Sequence, residues 1–234
     1  MSTFEEIKKH EELKKLCIYS YKKGGKLPDG YVELFPNTGD NGFFATVVKK
    51  GNNVIIIYRG TDDSKDLVQD IKMWKFHKLP EQLNDAISLY DEVSKYCKNN
   101  GYKLSVTGHS LGGSLAAIVS AMRGIEAVTF NPYGVKNLLD PNIKYNTDKV
   151  TNYCCENDII TIMNAENHIG KCYTVKPKNI LKVGHFLEIK QIQLSTMQAI
   201  LIKQFFISEF ENKLSDDFEN TFKNNNFQLN NDKS

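Results

Sequence analysis

In Tyr102-Lys103-Leu104-Ser105-Val106-Thr107-Gly108-His109-Ser110-Leu111-Gly112-Gly113-Ser114-Leu115-Ala116-Ala117, a strand-like run gives way through a glycine-flanked serine to small, helix-forming residues. The pattern predicts a strand over Tyr102–Thr107, a tight turn over Gly108–Gly113 and a helix over Ser114–Met122. The glycines have a physical reason. A serine held on a sharp, strained turn projects its Oγ beyond the strand end, and strand and helix must then nearly touch on either side of it. Gly108 and Gly112 lack the Cβ atoms that would keep them apart. The first turn of the helix also leaves the backbone N–H of Leu111 aimed at the space beside Ser110, where a developing negative charge is stabilised.

Working outward, residues 3–18 have the spacing of an amphipathic helix, with Phe4, Ile7, Leu13, Leu16 and Cys17 as the buried set. Residues 22–30, rich in Lys and Gly, read as a surface loop. Phe43–Val48 and Val54–Arg59 read as strands joined through Lys49–Asn53 in a hairpin. Val54-Ile55-Ile56-Ile57-Tyr58 is apolar without interruption, as a central strand covered on both faces should be. Leu83, Ala86, Ile87, Tyr90, Val93 and Cys97 fall at helical spacing, with Gly101 as the stop signal. Strands are expected at Ala127–Phe130, Val150–Cys155 and Cys172–Val175, and a last helix near Leu194–Leu214. Strand and helix alternate, which predicts an α/β fold with a mostly parallel central sheet flanked by helices. Gly-x-Ser-x-Gly between strand and helix is the nucleophile elbow of the α/β-hydrolase fold.

At 234 residues the chain is expected to form one domain over 1–214, followed by a polar, flexible tail over 215–234. A formal charge of +2 gives no electrostatic reason to expect nucleic acid as a partner. Cys17, Cys97, Cys154, Cys155 and Cys172 show no metal-ligand spacing. Adjacent Cys154 and Cys155 on a strand point to opposite faces, which suits neither a mutual disulfide nor a shared metal. They read as buried free thiols of a reducing compartment. Met1–Leu16 alternates Glu and Lys around no apolar signal core, and no run approaches membrane-spanning length. A cytoplasmic location is expected, with export by a route that reads no signal peptide as the alternative, and no metal or organic cofactor is implied.

A serine nucleophile needs a base to take its proton and an acid to orient that base. In this fold they follow in the order serine, acid, histidine. The order removes His10 and His77 as bases, and His109 belongs to the turn itself. Among Asp140, Asp148, Glu156 and Asp158, the preferred acid is Asp158, just past the Val150–Cys155 strand at the sheet edge where open α/β sheets collect catalytic groups. Glu156 is the alternative. His185 is the first choice of base and His168 the second. Tyr58-Arg59-Gly60-Thr61 leaves a buried strand through a glycine turn and offers Thr61 as a second donor to an oxyanion beside Leu111.

Tyr58-Arg59-Gly60-Thr61, about fifty residues before Thr107–Gly113 and followed by Asn157-Asp158-Ile159, resembles the class 3 lipase family. Thr38–Val47, His168-Ile169-Gly170-Lys171-Cys172-Tyr173 and His185-Phe186-Leu187 resemble a bacterial lipase-like branch of that superfamily. The resemblance covers roughly residues 25–195. It implies a Ser110–Asp158–His185 triad with Thr61 and Leu111 as the oxyanion pair, acting on an ester or lipid substrate with transient contact to a lipid surface. Two features depart from the fungal members. Leu67 stands where they carry a lid-leading tryptophan, and the only tryptophan is Trp74, so Asp62–Pro80 reads as a short lid or as a plain covering helix. The interval from Asp158 to His185 is also short for a lipase, leaving less room for acyl-binding structure.

These residues support a carboxylic-ester hydrolase working through an acyl-enzyme. The same triad permits acyl transfer to an alcohol. A fold of this kind can also bind a ligand without turnover. Chain length and head group are not written in the sequence, and neither is the oligomeric state.

Overall fold

The computed structural model describes residues 4–21, 25–38, 42–60, 79–155, 158 and 164–175. Its centre is the strand β3, Asn53–Tyr58, in which Val54 to Tyr58 are all buried. Alternation along the strand sends these side chains into two different layers. Val54, Ile56 and Tyr58 pack with Ala86, Val93, Leu115, Ile118 and Val119. Ile55 and Ile57 pack on the opposite face with Leu13, Leu16 and Cys17. The uninterrupted apolar run therefore reflects burial on both faces, as expected.

The helices responsible are α1 (Phe4–Ser20), α2 (Leu79–Asn100) and α3 (Leu111–Arg123). The remaining strands are β1 (Val32–Thr38), β2 (Ala45–Lys50), β4 (Lys103–His109), β5 (Ala127–Phe130), β6 (Val150–Cys155) and β7 (Lys171–Val175). Among the described residues the sheet order follows the chain, β1-β2-β3-β4-β5-β6-β7. β1, β2 and β3 are antiparallel, and β3 to β7 run parallel. A parallel sheet that always adds strands in one direction, with right-handed crossovers, puts its crossover helices on one face. Both α2 and α3 belong to the larger core on that face, which leaves the other to α1. The same order aligns the carboxyl ends of β3, β4, β5 and β6 along one edge, and the serine lies there.

Several element bounds differ from expectation. The hairpin pairs Lys50 with Asn53, so Gly51-Asn52 alone makes the turn where a longer loop was expected. α2 runs further in both directions than its apolar spacing implied and ends at Gly101, whose φ is 69°. α3 begins at Leu111, directly after the serine, and not at Ser114. β1 is an addition. Pro36 lies within it and its pairing with β2 is irregular between Glu33 and Phe35 and between Phe35 and Thr38, as an edge strand tolerates. The expected helix at Leu194–Leu214, the tail at 215–234 and most of the Asp62–Pro80 segment lie outside the described residues.

Candidate active site

Ser110 sits between β4 and α3 with φ 57° and ψ −132°, a backbone conformation costly for any residue with a side chain. It persists because the turn is locked from both sides. The Ser110 N–H donates to the Phe130 carbonyl at 3.0 Å and the Ser114 N–H to the Ser110 carbonyl at 3.1 Å. A Cβ on Gly108 would run into the backbone of Gly112 and Gly113, and one on Gly112 would meet the Tyr58 carbonyl. Strand, turn and helix are thus in backbone contact, as the glycine spacing required. Residues Leu111 to Ala121 are all buried, so the whole first turn of α3 is packed into the protein behind Ser110.

The expected acid, Asp158, is 4% exposed. Its N–H donates to the Cys155 carbonyl at 3.1 Å, so the chain turns back at the end of β6. Asn131, the residue after β5, holds that turn. Its Nδ2 donates to Asp158 Oδ2 at 3.2 Å, its Oδ1 accepts from the Cys155 N–H at 2.8 Å, and its own N–H donates to the Tyr153 carbonyl at 2.8 Å. Asn131 is buried and has a φ of 46°, one of two non-glycine residues with positive φ among those described; the other is Ser110. Asn tolerates this left-handed region better than most residues. Nothing in the local sequence singled it out except the turn-forming pair Asn131-Pro132. Burial pushes the Cys155 thiol up, against a smaller opposing effect from its contact with Asn131. The thiol beside Asp158 is therefore neutral at physiological pH.

The turn after β3 comes to the same place. Gly60 is packed so closely that a Cβ there would lie 2.7 Å from Tyr21 Oη, 2.9 Å from the His109 carbonyl and 3.1 Å from Ser110 Cβ. The Gly60 N–H donates to Tyr21 Oη at 3.0 Å, and the same hydroxyl is hydrogen-bonded to His109 Nδ1 at 3.2 Å. Tyr21, just past α1, therefore ties the Arg59-Gly60 turn to the serine turn. The Arg59 guanidinium lies 3.8 Å from the centre of the Phe44 ring, a cation–π contact that fixes the residue before it. Sequence reasoning missed Tyr21, because its two partners are 39 and 88 residues away.

Thr61, Glu156 and His185 lie outside the described residues. His168 follows a 3-10 turn, Ala165–Asn167, and its Nε2 is 3.8 Å from Cys154 Sγ. Cys172 Sγ is 3.6 Å from the same sulfur. Two cysteine readings change as a result. Cys172 is exposed while the other four thiols are buried. The sequence spacing, which suggested no ligand set, is overridden by strand pairing that gathers two cysteines and a histidine.

Comparison with known proteins agrees with this architecture. The Tle-like phospholipase domain family model matches residues 6–198. The extracellular phospholipase A1 of Serratia liquefaciens is 32% identical over 98 residues, which is 42% of this chain and 29% of that protein. The match thus spans less than a third of the relative's length. Lipase II from Rhizopus niveus superimposes with a TM-score of 0.56 at 15% identity, covering 75% of this chain and 83% of the lipase. The crystal structure of a fungal lipase gives 0.52 at 14% identity, covering 79% and 85%. These two similarities establish the α/β-hydrolase fold, and the family match covers most of the sequence. The chain belongs to the Tle-like phospholipase domain family.

Proposed function

We propose that this protein is a serine carboxylic-ester hydrolase of the phospholipase and lipase type, cleaving an acyl ester of a lipid through an acyl-enzyme. Ser110 is the nucleophile, His185 the base that takes its proton, and Asp158 the acid that orients the imidazole. The N–H groups of Leu111 and Thr61 receive the oxyanion. The imidazolium then protonates the leaving alcohol, and the same histidine activates the water that releases the acyl group. The observation that carries this reading is the strained Ser110 backbone, closed between β4 and α3 at the first turn of a buried helix. Such strain is what a nucleophile elbow requires. The buried Asp158 held by Asn131, and the Gly60 turn against Ser110 Cβ, support the acid and the second donor.

Phospholipid is the substrate class preferred, since both the family and the Serratia relative are named for it. A p-nitrophenyl ester series from acetate to palmitate, run beside phospholipid vesicles on wild type and Ser110→Ala, tests the proposal. Ester hydrolysis that falls by about 10⁴-fold or more in the variant is expected. Equal hydrolysis by the two proteins overturns the mechanism. A preference for soluble short chains over vesicles keeps the mechanism and rejects the lipid substrate.

No helix among the described residues is long and apolar enough to cross a membrane.

A further inference from the structure

Cys154, His168 and Cys172 take no part in the proposed hydrolysis, yet their ligand atoms all lie within 4.8 Å of one another. The register of the last two strands explains why. Cys172 is paired with Asn152 across β6 and β7, and Cys154 is two residues further along β6, so both thiols stand on one face of the sheet. His168 is brought to them by a loop with little freedom. The buried Asn152 side chain donates from Nδ2 to the carbonyls of Ile169 and Lys171 at 2.8 and 3.1 Å, and the Ile169 side chain is buried. Upstream, Asn167 Nδ2 donates to Asn164 Oδ1 at 2.6 Å, and Asn164 Nδ2 donates to the Gly134 carbonyl at 2.5 Å. The three donors therefore stand on a strand, a pinned loop and a second strand, each positioned by contacts that do not involve the cluster.

Two of the three separations match tetrahedral coordination, and the third, between His168 and Cys172, lies within 4.8 Å. Metal–sulfur bonds of about 2.3 Å and metal–nitrogen bonds of about 2.0–2.1 Å in a tetrahedron give ligand separations of roughly 3.8 Å between sulfurs and 3.6 Å between sulfur and nitrogen. Here the sulfurs are 3.6 Å apart and Cys154 Sγ is 3.8 Å from His168 Nε2. Two thiolates and an imidazole select zinc or another thiolate-preferring ion over magnesium or calcium, which favour oxygen donors. Cys172 is exposed, so the cluster is accessible to an ion from solvent. On binding, each thiol releases its proton to solvent as its sulfur bonds the metal, and His168 contributes the Nε2 lone pair. We propose that Cys154, His168 and Cys172 form a binding site for a thiolate-preferring divalent ion, zinc foremost, which fastens β7 and the loop before it to β6.

The site assumes that His185 and not His168 is the base, and its test does not use activity, so it fails separately from the hydrolase reading. The reduced full-length protein is titrated with cobalt(II), then with zinc(II), and followed by absorption and by thermal unfolding. The expected result is stoichiometric binding with a thiolate-to-cobalt charge-transfer band, displacement of cobalt by zinc, and a Tm that climbs with free zinc. Cys154→Ser and Cys172→Ser should each lose the charge-transfer intensity of one sulfur. Each should also weaken binding by more than the roughly 10–100-fold that loss of an outer-sphere partner costs. Cys97→Ser, whose sulfur lies in the α2 core, keeps both. Absence of the charge-transfer band in wild type overturns the proposal whatever the variants do. So does a band equally strong in both serine variants, or a Cys154–Cys172 disulfide and no metal in protein isolated without reductant.

Discussion

Ser110 and Asn131 are the two described non-glycine residues that adopt positive φ, and both flank the site. The strain at Ser110 costs about 1–3 kcal/mol and is held by the hydrogen bonds on either side of the turn and the close Gly108–Gly112 approach. Ser110→Gly removes that strain at the expense of extra unfolded-state entropy. Denaturant unfolding should therefore show the variant more stable than wild type by about 1 kcal/mol. Hydrolysis should be lost, which is the trade-off expected where a strained residue is kept for chemistry. Asn131 is a positioning residue: it touches Asp158 and the Cys155 N–H, and no reacting atom is assigned to it. Asn131→Gly keeps the left-handed backbone and deletes both hydrogen bonds. Steady-state kinetics should show kcat reduced by about 10–100-fold, since misplacing a catalytic group by an ångström has that scale of effect. KM should change little. A variant with unchanged kcat would show that the acid loop holds itself.

The ends of β3 and β4 and the start of α3 meet at this site backbone against backbone. β4 meets α3 through Gly108 and Gly112, while the turn after β3 meets the serine turn through Gly60. The Tyr21 hydroxyl joins the last two by accepting from the Gly60 N–H and pairing with His109 Nδ1. Tyr21→Phe keeps the ring and leaves the buried Gly60 N–H without that acceptor, at a cost of about 1–3 kcal/mol. Urea unfolding should register that loss. If the turn also carries the oxyanion donor at Thr61, kcat should fall more than KM rises. Loss of stability with unaltered kcat would confine Tyr21 to a structural role.

At the scale of the molecule, stability depends on the sheet being covered on both faces, and α1 provides one cover. The His10 Nδ1 and Tyr153 Oη pair, 2.7 Å apart, clasps α1 to β6, and the rings meet edge to face. Burial lowers the pKa of His10 below its ordinary 6.5, against the attraction of Glu6 and Glu126 and together with Lys9. Tyr153 is pushed the other way, up from 10, mainly by burial, so its hydroxyl keeps its proton throughout the range in question. The unfolded chain then binds a proton at His10 more readily than the folded one. Stability is complete above about pH 6.5 and is lost as pH falls from there toward the depressed folded value. Unfolding midpoints measured between neutral and mildly acid pH should decline in wild type and stay flatter in His10→Gln. Glu12 and Glu126, held below 4.5 chiefly by hydrogen bonds to Lys50 and Lys9, act only at lower pH. A decline of equal slope in the variant would assign the effect to other groups.

The chain by itself determined everything that rests on local periodicity and steric need. Val54–Tyr58 had to be a two-sided strand because no half-solvated strand is apolar at every position. Gly108 and Gly112 had to flank a close strand–helix approach because only glycine allows it. Asp158 was legible as a residue at the carboxyl end of a strand. What tertiary structure alone decided depends on partners far apart in sequence. β1, with Pro36 inside it and irregular pairing, lacks a clean alternation and becomes a strand only by pairing with β2. Asn131 acquires its role from a loop 27 residues away, and Tyr21 from two turns that meet the end of α1. Cys154, His168 and Cys172 share no spacing a motif would recognise. They meet because β6 and β7 pair in a particular register, and register is a property of the assembled sheet.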